Sequence, residues 1–342
     1  MKILPFVQMN WFRSILYFPV IGLFFLLNPQ PSSGLSFFNQ PDAFIAKSQD
    51  DSTEFIQWTK SKSILSGQFE VLVLDEKTLK IQSSNLTFSG IQNRSGISLN
   101  LSDGRIITGS LHNDKLTLDF PSQDGMLEQV EFIPGTIEEY NQKVSEITSK
   151  KNTISAYNHF VSLLNDVAIR LKALPNFDTP HPSGLQERYG SIVAKMRSDY
   201  QKGAQAVQMT SNCFRRESIK SYTLTHISVG HTWANTAKTM YKNKIQDIFE
   251  NDIKKIKMDL ERASQEFLII QNDRRSKNYV PALQNIDLSK YFQEFTRKAN
   301  GQVMDAVLKF KGVREKMALY DEEAKRIYDR SQQEFHFQVC YP

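Results

Sequence analysis

The sequence predicts an α+β protein: a small antiparallel β sandwich or partly closed barrel, followed by an elongated bundle of long helices with coiled-coil heptads. Three observations predict it. Apolar residues alternate with period two between Ser66 and Ile133, later segments repeat at alternating steps of three and four residues, and the charge changes sign between the halves. Residues 48–150 carry 9 Lys and Arg against 15 Asp and Glu, a net of −6, whereas residues 151–342 carry 30 against 21, a net of +9. An acidic module followed by a basic helical part reads as two units.

The chain begins with a delivery signal, residues 1–34. Lys2 and Arg13 precede an uncharged run from Ser14 to Leu27, and Asn28-Pro29-Gln30-Pro31-Ser32-Ser33-Gly34 follows it. A basic flank, an apolar run and a small-residue exit are the three regions of a secretory signal peptide. As a helix the run would be about 21 Å long, against a hydrocarbon core of about 30 Å. Cleavage near Gly34 is therefore the favoured reading. An uncleaved single-pass anchor is the second, and a buried helix of a cytosolic protein the third. The first two make the protein secreted or resident in the cell envelope. Residues 35–63 read as a linker.

Residues 64–135 form the β-rich module. Phe69-Val71-Val73, Leu86-Phe88, Ile97-Leu99-Leu101, Ile107-Gly109-Leu111, Leu116-Leu118-Phe120 and Leu127-Val130-Phe132 read as short strands. Turn formers separate them, among them His112-Asn113-Asp114, Asp103-Gly104 and Asp124-Gly125. Glycine accepts the positive φ that tight hairpins need.

One stretch of this module resembles a known kind of segment. Thr108-Gly109-Ser110, Leu116-Thr117-Leu118, Phe120-Pro121, Asp124-Gly125, Phe132, Gly135-Thr136, Tyr140-Asn141 and Val144 are similar to a segment of uncharacterised bacterial secreted or membrane-tethered proteins. In those, a sheet ending in a glycine-bearing hairpin leads straight into a helix. The resemblance spans about residues 108–144 and implies export from a bacterial cell. It brings no activity and no functional residues.

Residues 136–213 read as a helical hairpin. Thr136 and Glu139 make a capping box, Pro175 stops the first helix, and a second runs from Gly184 to near Asn212. Residues 214–232 are polar and β-branched, with weak helix propensity, and read as a linker or bend. Residues 233–336 read as an antiparallel coiled-coil hairpin. Phe249, Ile253, Ile256, Leu260, Ala263, Phe267 and Ile270 step by four and three, as do Phe310, Val313, Met317, Tyr320, Ala324 and Ile327. Phenylalanines on that seam favour a bundle of three or four helices over a two-stranded zipper.

No constellation of residues reads as an active site. The chain lacks a phosphate-binding G-x-x-x-x-G-K-[ST], a G-x-S-x-G elbow and an H-E-x-x-H helix. His226 and His231 lie five apart, so a helix would not put both on one face. Asp321-Glu322-Glu323 reads as a solvated helix face, and Tyr291, Phe292 and Phe295 as core. No catalytic, metal or cofactor residue is assigned, and no cofactor is expected. Cys213 and Cys340 are the only cysteines, and in an exported protein they are a disulfide candidate.

The function these features favour is that of an exported, non-enzymatic envelope protein, a β contact module on a helical stalk. A membrane-active helical-bundle protein of pore-forming type and an extracellular hydrolase with no sequence-visible site are the alternatives. The expected partner is a protein, or a second copy through the helices. A membrane surface is a further candidate, and no nucleic acid is expected.

Overall fold

The alternation read between Ser66 and Ile133 is resolved, in the computed structural model, into a closed antiparallel barrel. Residues 42–47, 50–121, 126–178 and 184–340 are described. The N-terminal apolar run and the Asp124-Gly125 turn lie outside them. The chain is α+β, an eight-stranded closed barrel followed by helices, and divides between Lys151 and Asn152 into two compact units.

In the first unit the strands are β1 (Asp42–Ala46), β2 (Ser52–Ser61), β3 (Ile64–Asp75), β4 (Lys80–Asn93), β5 (Gly96–Leu101), β6 (Ile106–His112), β7 (Lys115–Pro121) and β8 (Leu127–Pro134). Each pairs with its neighbours in sequence, and β1 closes the ring against β8 through Ile45↔Ile133 and Ala46↔Phe132. Tight turns make this meander local. Asn113 and Asp114 both take positive φ, 49° and 61°, as the two-residue turn between β6 and β7 requires, and Gly104 takes 89°. Gly67 and Gly109 let the ring curl, because a Cβ at either would overlap the carbonyl oxygen of Gln57 or Thr117 on the neighbouring strand.

The barrel interior is packed with side chains, among them Phe44, Ile56, Trp58, Phe69, Phe88, Leu99, Leu118 and Phe132. The stretch 35–63, expected as a linker, contains β1 and β2. Its period-two signal is broken because Phe55 and Ile56 are both buried. Ile56 joins the interior, while Phe55 packs outside against Tyr140.

Helix α1 (Ile137–Ala173) starts on the expected capping box. Thr136 N donates to Glu139 Oε2 at 2.9 Å, and Glu139 N to Thr136 Oγ1 at 3.2 Å. Its first turns bury Tyr140 against Ile45 and Phe55, and Ile147 against Leu72 and Leu74. Lys150 then pairs with Asp51 and, at 2.6 Å, with Glu76. These contacts move the unit boundary from the expected residue 135 to Lys151.

The second unit holds the rest of α1, α2 (Leu185–Gln208), α3 (Cys213–Tyr241), a π-turn (Lys242–Gln246), α4 (Asp247–Asn272), the short α5 (Ser276–Tyr279) and α6 (Leu288–Glu334). At 47 residues, α6 is about 70 Å long. Phe160 of α1 meets Phe267 and Phe292, and Phe177 after α1 meets Phe249 and Phe310. Most of the residues assigned to the two seams are buried, including Phe249, Ile256, Leu260, Ala263, Phe310, Met317 and Ala324.

Residues 214–232, expected as a linker or bend, are helical throughout. Asn212 caps α3 by accepting a hydrogen bond from Arg215 N at 2.9 Å. Tertiary burial of Thr223, Ile227, Ala234 and Ala237 overrides the weak local propensity. Gly203 of α2 admits Thr223, and Gly230 of α3 admits Met196, so those two helices approach closely. The π-turn then corrects phase. From Tyr241 through Ile245 to Phe249 the buried positions advance eight residues instead of seven, and the π-turn absorbs the extra one.

Candidate functional site

Among the described residues, no group of three or more His, Cys, Asp and Glu side chains is placed to hold a metal ion. The histidines are dispersed. His226 lies against Tyr222 and His231 stacks on Tyr328, each with ring centroids 4.2 Å apart, and His159 Nδ1 is 2.6 Å from Glu266 Oε1. Asp321, expected on a solvated face, instead bridges helices. Its carboxylate accepts from the buried Tyr189 hydroxyl at 3.2 Å and from Lys238 Nζ at 2.6 Å. Glu323 beside it pairs with Arg197.

Three places stand out, two polar and one apolar. The first is the barrel interior near Glu54. This residue shares the inward face of β2 with Ile56 and Trp58, and its Oε2 is buried with no hydrogen-bond partner among the described residues. Burial pushes its pKa up to about 7, and the nearby charge of Glu128 adds to the shift. On the outer face, burial also raises Glu70.

The second is a clasp at the start of α3. A disulfide joins Cys213 to Cys340, with Cα atoms 5.9 Å apart across a sequence separation of 127. Beside it, Glu217 and Lys220, both nearly fully buried, pair at 2.8 Å. Gln338 N donates to Glu217 Oε2 at 2.8 Å, and Lys220 Nζ donates to the His336 carbonyl at 3.4 Å. Hydrogen bonds from Lys220 and then from the Gln338 amide hold the Glu217 carboxyl below the usual carboxylate range. Phe335, also buried, packs its ring 5.6 Å from that of Tyr200. The non-helical tail is thus tied down by a disulfide, two backbone hydrogen bonds to the Glu217–Lys220 pair and an aromatic contact.

The third is the outward face of α3. Phe214, Tyr222, Val229 and Trp233 are all more than half exposed. At 100° per residue they fall within an arc of about 100°, opposite the buried Lys220, Ile227 and Ala234. From Ser221 to Ala237 the chain has no Asp, Glu, Lys or Arg. Sequence reasoning missed this surface by reading 214–232 as a bend. The signal was present in the four-three-four steps from Tyr222 to His226, Val229 and Trp233, which mark one helical stripe.

Comparison of the chain with protein-family models, with curated proteins and with solved structures finds no match.

Proposed function

We propose that this is an exported, non-enzymatic envelope protein that acts by binding, with a β-barrel contact module and a helical bundle that spaces or self-associates. The observation that carries the reading is the Cys213–Cys340 bond, which closes most of the second unit into one covalent loop. Such bonds persist in oxidising compartments and are reduced in the cytosol. The signal-like residues 1–34 supply the route, and the resemblance over residues 108–144 points the same way.

Two further features support binding over turnover. The barrel interior is filled by Trp58, Phe69, Phe88 and their neighbours, which leaves the outer surface for contact. The four-three seams of α4 and α6 fit coiled-coil packing within a bundle of at least three helices, since Phe160 of α1 enters it.

Fractionation of the native cells, with thiols alkylated before lysis, tests the reading. The protein is expected in the envelope or the medium, with both cysteines resistant to alkylation. Two alkylatable thiols on protein in the cytosolic fraction would overturn it.

A further inference from the structure

We propose that the outward face of α3, from Phe214 to Lys244 past the π-turn, is a docking surface for an anionic lipid bilayer. Four large apolar side chains stand on this face, exposed by 68% (Phe214), 66% (Tyr222), 51% (Val229) and 52% (Trp233). The stripe is about 28 Å long, enough to lie in a headgroup layer as an interfacial helix does. Tyr and Trp are the side chains whose apolar bodies and polar tips suit that layer.

Four threonines along this helix are already satisfied within it. The hydroxyls of Thr225, Thr232, Thr236 and Thr239 donate to the carbonyls of Ser221, Ser228, Thr232 and Asn235, at 2.9 to 3.1 Å. Docking therefore strips none of these four threonine hydroxyls of water, which lowers the desolvation cost that a threonine-rich face would otherwise carry.

Charge chooses the occupant. Residues 213–246 hold six cations, Arg215, Arg216, Lys220, Lys238, Lys242 and Lys244, against one acid, Glu217. That acid is buried and paired with Lys220, and Lys238 is paired with Asp321. Arg215 at one end of the stripe and Lys242 and Lys244 at the other remain exposed. A second copy laid antiparallel on this face would bring Arg215 towards Lys242 and Lys244, and the one acid of α3, Glu217, is buried and paired, which leaves Asp247 at the start of α4 as the next acid in sequence. An anionic bilayer complements the basic ends and accepts the neutral, aromatic middle.

Trp233 reports on its own docking. The chain has two other tryptophans, Trp11 in the N-terminal segment and Trp58 in the barrel core. The full chain carrying Trp11→Phe is mixed with phosphatidylcholine vesicles, with or without phosphatidylglycerol, containing lipids brominated near the headgroups. Fluorescence quenching that appears with phosphatidylglycerol and disappears on Trp233→Phe is expected. Arg215→Gln combined with Lys244→Gln should weaken the phosphatidylglycerol dependence by about thirtyfold, with helix content unchanged. An N-terminal segment that tethers the chain to vesicles while Trp233 stays unquenched would overturn the proposal. So would quenching indifferent to lipid charge, or lipid-free dimers abolished by Trp233→Glu, which would make a second copy the occupant. Failure here leaves the export reading intact, since that reading rests on fractionation and thiol state.

Discussion

Phe55 points out of the barrel and stacks on Tyr140 of α1, with ring centroids 5.3 Å apart. The next residue, Ile56, points in. The strand is therefore covered on both faces, and the first turns of α1 belong to the barrel as its outer cover. Phe55→Ala should destabilise the first unit by about 3–5 kcal/mol although it touches nothing inside the ring. A fragment spanning residues 42–151 should unfold cooperatively in urea. A fragment spanning 48–135 lacks β1, which hydrogen-bonds to both β2 and β8, and should not. Equal cooperativity of the two fragments would refute this account of closure.

Glu54 makes the barrel sensitive to alkali. Its pKa is raised from 4.5 to about 7, first by burial and then by Glu128. The folded state thus holds a proton that the unfolded chain releases, so stability is fully present below about pH 4.5 and falls as pH rises towards 7. The loss is about 3 kcal/mol by pH 8. Glu54→Gln keeps the shape and removes the charge, so the barrel of that variant should have the same urea midpoint at pH 5 and pH 8. A wild-type midpoint that rises across that interval would contradict the placement of Glu54.

Much of this fold was legible because its signals are local. The strands through Leu86-Phe88, Ile97-Leu99-Leu101, Ile107-Gly109-Leu111 and Leu116-Leu118-Phe120 alternate because one face meets the core and the other meets water, whereas Leu127 is exposed on the opposite face from Val130 and Phe132. Thr136 and Glu139 announced α1 because a capping box lies within four residues. What escaped the sequence was set by distant partners. The broken alternation at Phe55 and Ile56 makes sense only once Tyr140 packs on the outside. Closure depends on β1 meeting β8, some ninety residues away. The helicity of 214–232 depends on α2, whose Gly203 admits Thr223, and the π-turn hides the continuity of the buried face by one residue. The clasp was half legible. Two cysteines name a bond, but nothing local pairs Glu217 with the amide of Gln338.

The clasp should come apart in two steps. Cys340→Ser removes a cross-link whose loop-closure estimate is about 5 kcal/mol, yet leaves the tail held by Glu217. Because the Glu217 carboxyl is held below its ordinary value, its contribution is present above that value and lost as pH falls through the depressed one. In the Cys340→Ser protein, the Gln338 amide should therefore resist hydrogen exchange at pH 7 and lose that protection only once pH falls below the usual carboxylate range. Adding Glu217→Gln should lower it already at pH 7. Identical exchange with and without Glu217 would show that its carboxylate does not hold the tail.

The helical register gives the last prediction, because the π-turn makes it unusual. A regular helix continuing the buried face from Tyr241 and Ile245 would next bury residue 248. With the π-turn, Phe249 is buried instead and Ile248 is 54% exposed. Phe249 lies within the aromatic cluster of Phe177 and Phe310, at ring distances of 5.2 and 4.6 Å. Phe249→Asp would leave a carboxylate there with the volume of a lost ring, at a cost of at least about 3 kcal/mol. Ile248→Asp, one residue earlier, faces water and should change stability by no more than about 0.5 kcal/mol. Leu260→Asp and Lys255→Asp should repeat the contrast further along α4, since Leu260 is buried and Lys255 is exposed. In thermal unfolding, Phe249→Asp and Leu260→Asp should each lower Tm by at least about 6 °C, and their neighbours should barely move it. If Ile248→Asp proved as damaging as Phe249→Asp, the helix would run through residues 242–246 without the extra residue, and the continuous buried face from α3 into α4 would have to be redrawn.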